Sequence, residues 1–185
     1  MEIFFIQLYV MEQFEEKLHD ELCHFLLSIG EVDERLPECP DVEEKWLPVV
    51  MGYLADGIRE FEHFPTVSLG WMMYVGMAVA RLWDDEWEIY GKIDDLYAYL
   101  RDKRSYDQLD DYIGEQVLLL DDAEVERVRK LVGSSAERVY HFLRSRQIEP
   151  GTKAAFRAYV ACLHELYRMG AAVQLKRMGY RMVKE

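Results

Sequence analysis

The sequence predicts an all-α protein: one helical bundle of about six helices, a single domain over residues 1–185, built around a central apolar helix. Three observations predict it. From Phe64 to Ala80 the chain carries no carboxylate, amine or guanidinium, and from Leu69 to Ala80 it is apolar on every helical face. A helix apolar all round must be buried all round. Almost every other segment repeats its apolar residues at spacings of three and four, and none shows the alternation or turn chemistry of a strand. With 50% hydrophobic residues, the chain is long enough for one substantial core and short for two.

The first helix is expected from about Ile3 to Ile29, with Phe4, Leu8, Met11, Leu18, Leu22, Phe25 and Ile29 on one stripe and Gly30 just past its end. Between Met11 and Leu18 the core position falls to Glu15, or to the flanking Phe14, and His19 stands at the stripe's edge. The start Ile3-Phe4-Phe5-Ile6 lacks the form of a signal peptide, because Glu2 replaces a basic region and no small-residue cleavage site follows. A loop containing Pro37, Cys39 and Pro40 leads to a second helix, with Asp41 and Glu44 as its capping pair. Its buried stripe reads Leu47, Val50, Leu54, Ile58 and Phe61, and Pro48 lies either in its first turn or at a kink.

The central helix is expected at about 67–88, capped by Thr66 or Ser68. Its buried part, about 13 residues, covers roughly 20 Å against a hydrocarbon core of about 30 Å, too short to span a membrane. Gly76 and Ala80, four apart, let a neighbouring helix approach closely. Gly91 ends or bends the helix, and Ile93, Leu96, Tyr97 and Leu100 mark a short one after it. Tyr106, Leu109, Ile113 and Val117 mark another amphipathic stretch interrupted at Gly114, with boundaries between 91 and 120 left open.

Asp121 or Asp122 caps a helix to about 147 carrying Val125, Val128, Val132, Val139 and Phe142. Its stripe keeps phase through Gly133-Ser134-Ser135, which favours one continuous helix over a break. After Glu149-Pro150-Gly151-Thr152 a long C-terminal helix follows, about 152–182, with one stripe of Ala155, Tyr159, Cys162, Leu166, Gly170 and Val173. A second stripe of Val160, Tyr167, Ala171, Leu175 and Met178 leaves only a narrow strip with Arg157, His164 and Arg168 polar. This helix is the expected main partner of the central one.

Net charge is −13, which opposes binding to a phosphate backbone, so nucleic acid is not an expected partner. The charge is unevenly placed. Residues 150–185 carry Lys153, Arg157, Arg168, Lys176, Arg177, Arg181 and Lys184 against Glu165 and Glu185, a balance of +5, leaving −18 for residues 1–149. Internal charge matching is expected to fix where the last helix docks, with an anion site as the alternative. Three cysteines without a CxxC or Cys/His ladder argue against a disulfide framework or a structural zinc site and fit a reducing cytoplasm.

Glu16/His19, Glu21/His24 and Glu60/His63 share the Glu-x-x-His spacing of di-iron bundles, but Glu16, His24 and His63 point away from the predicted core. No metal and no cofactor are expected. Arg81 leaves the buried helix on the side of Tyr74 and Asp84, and so needs a carboxylate, Asp84 or Asp85. Trp71, Trp83, Trp87 and Tyr90 read as core or interface rather than a stacking box. Cys39 has no neighbouring base to activate it. No phosphate loop, dinucleotide fingerprint or nucleophile elbow is present, and no catalytic residue is assigned. The sequence therefore points to a non-enzymatic cytoplasmic helical protein acting through contact with a protein partner or a second copy. The alternative is a small-ligand-binding or enzymatic bundle with a polar pocket at Tyr74, Arg81 and Asp84, or at Glu15 and His19.

Overall fold

The structure, a computed structural model, describes residues 1–182; Lys184 and Glu185 of the charge balance above lie outside them. It contains eight α-helices: α1 (Glu2–Ser28), α2 (Pro40–Glu44), α3 (Trp46–His63), α4 (Pro65–Tyr90), α5 (Leu96–Arg101), α6 (Leu109–Tyr112), α7 (Asp122–Ser145) and α8 (Lys153–Arg177). Among the described residues there is no strand. The count exceeds the expected six because α2 and α6 are one-turn helices, and the 106–117 stretch divides into a 3₁₀ turn, α6 and a π turn. No described helix is long and apolar enough to cross a membrane.

α4 is the buried axis of the bundle, with Leu69, Met72, Met73, Val75, Met77, Ala78, Val79 and Ala80 all at zero exposure. α8 packs along it most extensively, with α7 and α3 on its other sides. The α4–α8 contact is set by two glycines. A Cβ on Gly76 would meet the Tyr167 carbonyl, and one on Gly170 would meet the Met73 carbonyl, so each glycine admits the other helix's backbone. α1 lies across α7 and α8, and α5 packs on α3.

Several ends follow the sequence closely. Asp121 caps α7 in a reciprocal box with Glu124, and Thr152 caps α8 by accepting from Ala155 N–H. Gly30, at φ +77°, closes α1 while Glu31 N–H donates to Leu26 O at 2.9 Å. α7 is continuous through Gly133, whose missing side chain faces open space. Gly133→Ala is therefore expected to stabilise the protein by about 0.5 to 1 kcal/mol, read as a higher denaturant midpoint, because the helix gains propensity at no steric cost.

Other expectations need correction. Pro65 occupies the first position of α4, so its N-cap is Phe64 and neither Thr66 nor Ser68; Ser68 is inside the helix and buried. Asp41 does not cap α2, which starts at Pro40 with Cys39 as N-cap. On α3, Pro48 falls in the first turn, but the buried face is Val49, Val50, Tyr53 and Gly57. Leu47 and Ile58 are exposed, because the helix is turned to bring Tyr53 inward, where its ring lies against Gly57 and its hydroxyl donates to Ser68 O of α4. On α1 the core row is Phe14, Leu18, Leu22 and Leu26; Phe14 takes the inward place and Glu15 is exposed. The first ten residues are exposed as well, so α1 begins as a largely apolar arm that no other described residue buries.

Candidate functional site

The polar groups that converge do so where α1 crosses α8. His19 follows the buried Leu18 on α1 and is turned about 100° from it, to the half-buried margin of the helix. Cys23 lies one turn further on the same face. From α8, Glu165 enters between Leu163 and Leu166 and is itself buried. His19 Nδ1 stands 2.6 Å from Glu165 Oε1, and Cys23 Sγ stands 3.3 Å from His19 Nε2 and 3.8 Å from Nδ1. The Cys23 sulfur and the Glu165 carboxylate hold the imidazole pKa up, at about 10, against its partial burial.

This cluster forms one wall of a groove of about 500 Å³ whose other lining includes Glu12, Glu15, Glu16, Asp20, His164 and Arg168. Across the groove, Glu43 of α2 meets His164 Nε2 at 2.6 Å and Arg168 Nε at 3.4 Å, and the Trp46 ring stacks on His164 with centroids 4.5 Å apart. Burial pushes the Glu43 carboxyl up, and His164 with Arg168 more than reverses it, leaving it below its usual value. Lys176 meets Asp33 at 2.9 Å. These pairs agree with the expectation that the basic α8 is docked by acidic groups of the preceding chain. A second cavity of about 680 Å³ under the 34–40 loop shares His19 and reaches Cys39, whose thiol is raised by burial.

Of the residues expected from sequence, Glu15 and His19 do line one groove. Tyr74, Arg81 and Asp84 do not come together. Tyr74 is buried beside a cavity of about 260 Å³ with Asp110, Asp111 and Arg129, a space that contains neither Arg81 nor Asp84. Burial, then Asp110, raises its phenol pKa. Arg81 and Asp84 are 4.0 Å apart with side chains 35% and 29% exposed, and Asp84 accepts the Tyr180 hydroxyl at 2.5 Å. At that exposure the pair contributes about 0 to 1 kcal/mol, not the closure of a buried core. Two turns of helix separate Tyr74 from Arg81, so a shared side of α4 does not make a shared cavity.

The aromatic run is likewise dispersed. Trp71 Nε1 donates to Tyr106 O at 2.8 Å, Trp83 Nε1 to Asp41 Oδ2 at 3.0 Å, and Trp87 faces the Lys45 ammonium at 5.8 Å, each tying a different segment to α4. Of the Glu-x-x-His pairs, His24 and His63 are exposed, and Glu16 only rims the groove. Cys23 and Glu165 escaped the sequence reading. The available signals were the i, i+4 spacing of Cys23 from His19 and a glutamate inside a helix apolar on two sides. Comparison with known proteins finds no matching family model, no matching curated protein and no matching solved structure.

Proposed function

We propose that this chain is a non-enzymatic cytoplasmic protein that works through protein contact, with the α1 arm as the contact element and a second copy of the chain as its partner. One observation carries the reading: residues 3–10 of α1 are apolar but for Gln7 and yet exposed, with Ile3 at 73% and Phe4, Phe5, Ile6, Tyr9 and Val10 near 60%. The rule that buries α4 requires this segment to be covered too. Three free cysteines fit a reducing compartment.

A second copy fits by area and by charge. The apolar side chains of residues 3–10 present on the order of 700 Å², near the roughly 800 Å² per partner of a stable interface. At the base of the arm lies a groove of about 700 Å³ with an apolar floor of Ile6, Val10, Phe14 and Ile148, rimmed by Lys17, Arg146, Lys153 and Arg157. Two arms crossing antiparallel place each arm in the other's groove and Glu2 of one copy against the basic rim of the other. Such an exchange is self-complementary and closes as a dimer. A bilayer surface suits the arm less, since interfacial helices keep one strongly polar face.

Sedimentation of the full chain over a concentration series is expected to show a monomer–dimer equilibrium. Phe5→Glu is expected to leave a monomer with unchanged helicity and thermal unfolding, because Phe5 is exposed in the single chain. A wild-type chain that stays monomeric throughout, or that associates equally well as Phe5→Glu, overturns the reading.

A further inference from the structure

We propose that His19, Cys23 and Glu165 form a binding site for a divalent metal ion of zinc's borderline character, with its open coordination position facing the groove between α1 and α8. The inference is independent of the arm. One donor atom from each residue, an imidazole nitrogen, a sulfur and a carboxylate oxygen, lies within 4.8 Å of the other two. Ligands of a tetrahedral zinc ion, at about 2.0 to 2.3 Å from the metal, are roughly 3.3 to 3.8 Å from one another. Cys23 Sγ, 3.3 Å from His19 Nε2 and 3.8 Å from Nδ1, lies over the ring face, so the imidazole has to turn to aim Nδ1 between the sulfur and the carboxylate, and the 2.6 Å contact between Nδ1 and Glu165 Oε1 has to open by about 1 Å.

The supports are rigid: His19 and Cys23 are one turn apart in the middle of α1, and Glu165 is in the middle of α8. Glu165 is buried and its carboxylate oxygen already meets the His19 ring at 2.6 Å, so it is aimed at this point. Glu12, Glu15, Glu16 and Asp20 line the approach, and their field concentrates cations at the mouth. They do not define the site, because the mixed N, S and O donor set is that of zinc or cobalt, whereas magnesium and calcium take oxygen alone. A bound dication is held by a thiolate, a neutral imidazole and a carboxylate, and whatever protons the ligands carried go to solvent. The sequence-based expectation of no metal weighed Glu-x-x-His pairs, and the folded chain assembles a different set.

The test uses the full chain, purified without a metal-affinity tag and stripped by chelator. Cobalt(II) titration is expected to give one equivalent of binding with a thiolate-to-cobalt charge-transfer band, displaced by zinc(II). Cys23→Ser is expected to abolish the band, Glu165→Gln to weaken cobalt binding by more than about tenfold, and Cys39→Ser to leave both unchanged. The absence of a stoichiometric thiolate band in the wild-type chain overturns the proposal whatever the variants do. So does cobalt binding that survives both Cys23→Ser and Glu165→Gln, which would place the ion adventitiously on exposed carboxylates.

Discussion

Alanine at Gly76 or at Gly170 is expected to destabilise the protein by roughly 3 kcal/mol, while the same change at Gly133 stabilises it. All three glycines are helical, and on propensity alone each substitution would gain about 1 kcal/mol. The difference is what a methyl group meets. At Gly133 it meets open space; at Gly76 it meets the Tyr167 backbone, and at Gly170 the Met73 backbone. A carbonyl on a helix has no rotamer by which to yield, so α4 and α8 must separate, and side chains along both lose dispersion contact. These are the two most extensively packed helices of the bundle, and the loss spreads over Met73, Met77, Leu166 and Val173, all buried. For a chain of this size each kcal/mol moves the midpoint by about 2 to 4 °C, so thermal unfolding followed by circular dichroism resolves the opposite signs. Equal stability of Gly76→Ala and the wild type would show that the two backbones do not meet here.

Ser68→Ala is expected to cost about 2 to 3 kcal/mol by stranding a buried tyrosine hydroxyl. Ser68 lies at the start of α4 with zero exposure; its Oγ donates to Gly57 O at 2.7 Å and accepts from Tyr159 at 2.6 Å. The Ser68 carbonyl accepts from Tyr53, whose oxygen in turn accepts from Tyr106 at 3.3 Å. Every hydroxyl in this chain of donors is thereby satisfied inside the protein. Gly57 keeps its own helical bond when the serine is removed, but the Tyr159 hydroxyl loses its partner and is too buried to find water. Tyr159→Phe, which deletes the stranded group itself, is expected to cost only about 1 kcal/mol. The double variant should then fall well short of the sum, since Tyr159 no longer has a hydroxyl to leave unpaired. Denaturant unfolding of the three variants measures this directly, and strict additivity would show that the two hydroxyls are not coupled.

Helices, their order and most of their ends were legible in the sequence because each depends on residues within one turn. The Asp121–Glu124 box, the Thr152 cap and the Gly30 stop are interactions over three to five positions, and the folded chain keeps all three. So is the burial of α4 from Met72 to Ala80, since an apolar run with no polar face leaves no choice of side. Where the core row carried a choice, the periodicity did not settle it. Phe14 and Glu15 differ by about 100° of helical rotation, and only docking against Phe142 of α7, ring centroids 5.2 Å apart, selects Phe14. The same uncertainty of rotation displaced the α3 face from Leu47 and Ile58 to Tyr53 and Gly57. The groove was legible only from one side: Glu15 and His19 belong to α1, whereas Glu165 lies 146 residues from His19 and becomes its partner by tertiary packing alone. The sequence by itself determined which segments are helical and which one must be central, because those properties are local or leave no alternative. The tertiary structure decided which glycine meets which backbone, which serine holds which tyrosine, and which thiol and carboxylate join His19. Each of these requires two helices to be set in rotation and register against one another, a relation that no single helical repeat contains.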